Sequence, residues 1–207
     1  AFVVFERLDL VGGGGEGTYA AMGRDVARMH RCLAPDGRFG YPIDNTIGAT
    51  RQFNVPSMAS WPDFWNEKRL GHMLKLTRGA GLTEDDVEKL KGKTKELLSH
   101  APAPSLLHGD LWGGNASFCR DGDVVVPVIF DPAVYYGDRE ADVAMTYLFG
   151  GFDADFYRGY EAEWPLPDGH ERRRTVYNLY HILNHQVLFG GSYAQQAREM
   201  IEQILQY

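Results

Sequence analysis

The segment Ser105–Asn115, SLLHGDLWGGN, breaks an apolar run with a polar turn and passes directly into NASFC, RDGD and VVVPVIFD. Apolar and β-branched residues on either side of Asp121-Gly122 predict two antiparallel strands joined there by a tight turn. Pro127 has no N–H to give, which assigns its strand to an unpaired edge or a bulge. Asn115, at the start of the first strand, and Asp131, at the end of the second, then both lie at the open end of the hairpin. Asp110, five residues before Asn115, sits on the loop feeding that end. Three oxygen-bearing side chains therefore converge on one cleft, although Asp and Asn are also ordinary turn residues.

The rest of the chain reads as mostly helical. AFVVFERLDL opens as a buried strand that turns polar at Glu6, and VGGGGEG follows as a flexible turn. No Gly-Lys-Ser/Thr follows those glycines, so a linker or helix entry is favoured over a phosphate loop. Met22, Val26, Met29 and Leu33 form one stripe of an amphipathic helix between Glu16 and Leu33. Residues 34–59 hold Pro and Gly without a period and predict a long ordered surface loop. Ser60 with Pro62 and Asp63 starts a helix reaching about Arg78, and Thr83 with Asp86 starts another. From Asp138 onward four helical stretches are parted by Gly pairs or PLPDG. The class is α+β, predominantly α-helical, and its length of 207 residues suits one domain or a large lobe.

A formal net charge of -7 argues against nucleic acid or anionic lipid as a partner. Cys32 and Cys119 lack a metal or disulfide spacing, which fits a reducing, cytoplasmic setting. No long apolar span or signal peptide is visible, and the chain opens without Met, so an organelle address on preceding sequence stays open.

Hard oxygen ligands such as Asn115 and Asp131 suit Mg²⁺, which is commonly held by one or two carboxylates and the phosphates of a nucleotide. Phosphoryl transfer asks a protein chiefly for positioning, charge neutralisation and a carboxylate near the attacking hydroxyl. An Asp, an Asn five residues later and a metal-binding Asp after the next strand is the kinase-type arrangement. On that pattern Asp110 is the base, Asn115 and Asp131 are the Mg²⁺ ligands, and His108 braces the loop.

LLHGDLWGGN together with VIFDPAVYYGDREADVAMTYLFGGF resembles the fructosamine (ketosamine) kinases, within the aminoglycoside phosphotransferase-like branch of the protein-kinase-like fold. FGYPIDNTIGAT, WPDFWNEKRLGHMLKL and RRRTVYNLYHILNHQVLFG extend the likeness over nearly the whole chain. The resemblance implies transfer of the γ-phosphate of ATP to the 3-hydroxyl of a ketosamine on lysine, free or protein-bound. The product is unstable and releases the amine, a repair of glycated protein. It also implies that FERL is the hinge, with Phe5, Glu6, Arg7 and Leu8 offering backbone groups to adenine. Residues 1–207 would then be the C-terminal lobe, the small lobe would lie outside the chain, and the chain alone is expected to have little or no kinase activity. Trp112 would line the ketosamine pocket, and Asp142 would brace the loops. Asp131-Pro132-Ala133 leads to the next helix without a long activation segment, which fits a constitutive small-molecule kinase. The alternatives are a phosphotransferase for an aminoglycoside or choline-like alcohol, and a non-catalytic module that keeps the kinase shape. Oligomeric state is not legible.

Other residues carry weaker signals. His181 and His185 lie four apart on a predicted helix without a completing Glu, which favours a core or cleft pair over a metal site. Asp138 reads as a helix cap, Arg139 and Glu140 as an exposed ion pair, and Arg172–Arg174 as a solvated helix start. Asn45 and Thr46 could reach substrate or solvent.

Overall fold

The computed structural model describes residues 6–13 and 15–207. Of the strand expected at the start of the chain, residues 1–5 lie outside the described ones and residues 6–9 are irregular. Only Leu10–Val11 (β1) pairs, placing Leu10 opposite Cys119 and Val11 opposite Phe118. Helix α1 spans Thr18–His30 and buries Met22, Val26, Ala27 and His30. The long loop after it holds a small hairpin, β2 (Asn45–Ile47) and β3 (Thr50–Gln52), which its sequence does not announce.

Helix α2 (Trp61–Phe64) starts where Ser60 Oγ accepts from the Asp63 N–H at 3.4 Å. It widens into a π turn over Trp65–Leu70 and continues as α3 (Gly71–Leu76). Such single π turns insert one residue into a helix and redirect its side chains. Here Arg69 points inward, bonding the Phe53 carbonyl and Asn54 Oδ1 at 2.7 Å each and lying 4.1 Å over the Tyr135 ring. Helix α4 (Glu84–Leu97) is capped by Thr83 as its sequence predicts.

Strands β4 (Ser105–Leu107), β5 (Ala116–Asp121), β6 (Val124–Ile129) and β7 (Tyr135–Gly137) follow. The sheet order β1-β5-β6 leaves β6 at an edge, where Pro127 sits opposite Phe118 and no donor is missed. Asp121 still pairs with Val124, so the turn is Gly122-Asp123, one residue later than the composition suggests. The chain ends in α5 (Glu140–Met145), α6 (Ala154–Glu163), α7 (His170–Phe189) and α8 (Tyr193–Gln206).

Two apolar clusters hold these elements. The larger gathers Trp61, Trp65, Leu107, Tyr177, Leu183 and Ile201, and the smaller gathers Met22, Val26, Leu111, Phe118, Val143 and Phe156. Helices α1 and α6 meet backbone to backbone: a Cβ on Gly23 would lie 2.0 Å from the Phe156 carbonyl, and one on Gly159 2.1 Å from that of Ala20. Glycine is what lets this pair close.

Three expectations change here. Arg139 and Glu140 are buried at 8% and 4% exposure and do not pair with each other. Arg139 lies 4.0 Å over the Trp164 ring, while Glu140 takes a two-point ion pair from Arg173, at 2.7 and 2.8 Å. The middle of the basic trio is thus an interior partner rather than a solvated charge. Asp138 does more than cap: besides accepting from the Glu140 N–H at 3.0 Å, it accepts from Tyr177 and from His100. In each case a partner distant in sequence is what makes burial of the charge tolerable.

Candidate active site

Leu107 belongs to the larger cluster and Leu111 to the smaller, so His108-Gly109-Asp110 spans the seam between them. The β4–β7 ladder pairs Leu107 with Tyr135, which brings the chain leaving β4 alongside the chain entering β7. The Ala133 N–H donates to the His108 carbonyl at 2.8 Å, and the Phe130 N–H to the Asn115 carbonyl at 3.1 Å. Asp131 and Pro132 are therefore held from both sides at the open end of the β5–β6 hairpin. Gly109 takes a φ of +82°, and a Cβ there would lie 2.1 Å from the Ala133 carbonyl, so no other residue fits this crossing.

Asn115 Nδ2 donates to the Asp110 carbonyl at 2.9 Å and to Asp110 Oδ2 at 3.1 Å. With its amide nitrogen engaged, Asn115 has Oδ1 left to offer. Asp131 is exposed and left-handed, with φ +54°, and its carboxylate meets no donor among the described residues. A non-glycine residue held in that region is a form of strain that clusters at functional sites. A free amide oxygen and a free carboxylate are the hard donors that Mg²⁺ selects. Burial is the main cause pushing the Asp110 carboxyl up to about 6, with the Asn115 bond working against it.

Asp142 lies beneath this loop, 1% exposed. Its Oδ2 accepts from the His108 N–H at 2.7 Å and its Oδ1 from the Gly109 N–H at 2.8 Å, while His30 Nε2 lies 3.1 Å from Oδ2. Burial opposes ionisation of Asp142, but the hydrogen bond and charge of His30, with His108 and the Gly109 N–H, hold its carboxyl below the usual range. The His108 ring reaches the Phe130 carbonyl through Nε2 at 2.9 Å, and burial lowers its pKa despite the charge of Asp142.

Trp112 stands on the same loop, 36% exposed, edge-on to Phe149 at 5.9 Å. Of the proposed hinge, Phe5 lies outside the described residues, Glu6 and Arg7 are exposed and Leu8 is half-buried. The Arg120 N–H donates to the Asp9 carbonyl at 3.1 Å, which ties this stretch to β5. His185 lies on α7 near Asp110, whereas His181 is interior. Sequence reasoning missed His30, although its place four residues after Val26 on the buried stripe of α1 was a usable signal. It also missed Gln52, which donates to the Ala133 carbonyl at 2.9 Å and comes from the aperiodic loop, where nothing local marks it. Asn45, expected to reach substrate or solvent, instead donates to the Val134 carbonyl at 2.7 Å and supports the same stretch.

Known proteins resemble this chain over nearly its whole length. The family described as fructosamine kinase matches residues 1–207. A Synechocystis protein named as a probable ketoamine kinase is 47% identical over 99% of this chain and 68% of its own length. A chloroplastic protein-ribulosamine 3-kinase of Arabidopsis thaliana is 41% identical over 99% of this chain and 62% of its own. A crystal structure from Thermobifida fusca, provisionally named a fructosamine-3-kinase, superposes with a TM-score of 0.82 at 31% identity, covering 98% of this chain and 69% of that one. A Ralstonia eutropha structure named for aminoglycoside phosphotransferases, at 17% identity and a TM-score of 0.50, shares the fold. The chain thus spans about two thirds of the length of these relatives. It belongs to the fructosamine kinase family and has the α+β, mostly helical, kinase-like fold that its sequence leads one to expect.

Proposed function

We propose that this chain is the acceptor-side lobe of a kinase that moves the γ-phosphoryl group of ATP to the 3-hydroxyl of a ketosamine on lysine. The observation that carries the reading is the placement of Asp110, Asn115 and Asp131 at one end of a single hairpin, over a loop locked by Asp142. Asp110 accepts the hydroxyl proton as the new O–P bond forms and the bond to the ADP leaving oxygen breaks. Mg²⁺, held by Asn115 and Asp131, would supply neutralisation of the phosphate charge. His108 and Asp142 keep the loop in register, so little rearrangement is needed on reaching the transition state. Trp112 offers an apolar face to the sugar, and Phe5 to Leu8 offer backbone groups to adenine. The names ketoamine kinase and protein-ribulosamine 3-kinase among the relatives support this acceptor class over an aminoglycoside or choline-like alcohol. Release of the amine from the phosphorylated product would make the outcome protein deglycation.

The test is ATP- and Mg²⁺-dependent phosphorylation of fructosyl-lysine and ribulosyl-lysine by the full-length protein, read by mass spectrometry. Phosphate on the sugar supports the reading. Demonstrated ATP binding without transfer to any ketosamine overturns it.

A further inference from the structure

Large apolar rings near the surface ordinarily turn inward, yet Trp112, Phe149 and Phe189 are 36%, 41% and 69% exposed. They are not scattered. Trp112 meets Phe149 at 5.9 Å, Phe149 meets His185 at 4.6 Å, and His185 meets Phe189 at 5.5 Å and Tyr193 at 5.1 Å. The row begins two residues from Asp110 and runs outward along the end of α7. Phe149 itself is left-handed, with φ +54°, immediately before Gly150 and Gly151 at +105° and +76°. A turn built only to reverse the chain would leave that conformation to the glycines, because a bulky side chain is strongly disfavoured there. What the strained residue achieves is to set its ring edge-on against Trp112, two residues from Asp110.

Resting on the ketosamine reading above, we propose that Phe149 and Phe189 form a docking track for the polypeptide that carries the modified lysine. The sugar must lie at Asp110, so whatever its amine bears has to leave the cleft, and this row of rings is continuous with Trp112. Apolar or aromatic residues flanking the lysine would cover it. The experiment compares, in the full-length protein, kcat/KM for free ribulosyl-lysine with that for short peptides bearing the same group between Leu and Phe or between Ser and Ser. The Leu/Phe peptide is expected to be preferred about tenfold, the scale of burying much of an exposed phenyl ring. Phe189→Ser should bring the ratio of peptide to free substrate close to one. Phe149→Asn, which tolerates the left-handed turn, should do the same. Equal use of all three substrates, or a ratio unmoved by Phe189→Ser, overturns the track while leaving the ketosamine reading intact. A dimer of the wild-type protein that Phe189→Ser dissolves also overturns it, since the occupant is then a second copy. Phosphate on none of the three substrates overturns the ketosamine reading as well.

Discussion

Asp142 carries the loop although it is not assigned to the transfer itself. Two successive backbone N–H groups and one imidazole point at a carboxylate that is out of water. Asp142→Asn puts an amide where a second acceptor is required, leaving a buried N–H group unmatched. A loss of about 1–3 kcal/mol is expected from one such unsatisfied group, measurable by urea unfolding. Turnover should fall as well, because the backbone carrying Asp110 is released. Asp110→Asn isolates the other effect. It keeps the shape and removes the proton acceptor, so turnover in the full-length protein should drop by roughly two to four orders of magnitude with folding intact. Near-normal turnover would remove Asp110 from the role of base.

At the scale of elements, the site depends on α5 being fixed to α7, and a single buried pair does much of this. Glu140 and Arg173 are 33 residues apart in sequence and make two short hydrogen bonds. Burial pushes the Glu140 carboxyl up while the Arg173 bond pulls it down, so the pair persists only as a unit. Replacing Arg173 with Met leaves the buried carboxylate facing only His100, 3.6 Å away, and should cost about 3–5 kcal/mol. Adding Glu140→Leu to that variant should restore part of the loss, because the stranded charge is gone. A double-mutant cycle in chemical denaturation checks this, and strictly additive losses would show that the two side chains act independently. The cycle also bears on the neighbouring Asp138, which ties α5 to Tyr177 of α7 and to His100 beyond α4.

For the whole molecule, what the sequence disclosed were features whose signal is local. Ser60 and Thr83 cap helices, Met22 and Val26 mark the buried face of α1, although Leu33 of the expected stripe lies beyond the end of the helix at His30 and is exposed, and the Asp110, Asn115 and Asp131 spacing survives as a shared end of one hairpin. What it concealed were pairings across distance: Arg173 with Glu140, Gln52 beneath Ala133, and the π turn that drives Arg69 inward. Composition gives a buried charge no mark until its partner is located. His181 shows the consequence for the molecule as a whole. Read only as half of a histidine pair, it proves to be 4% exposed on α7, with Nδ1 lacking a partner among the described residues. Burial pulls its pKa down to about 3, against the opposing influence of Asp142. The unfolded chain protonates this histidine near pH 6.5 and the folded one does not, so the unfolded state binds more protons between those values. Its contribution to stability is complete above about pH 6.5 and is lost as the pH falls toward 3. The slope is about 1.4 kcal/mol per pH unit, or about 2 kcal/mol between pH 6.5 and 5. Urea unfolding at several pH values should therefore show a shallower dependence in His181→Leu than in the wild type, whatever the variant's absolute stability. Identical slopes would mean that the interior around α7 admits water or a proton, and that the helix is less tightly sealed than its burial indicates.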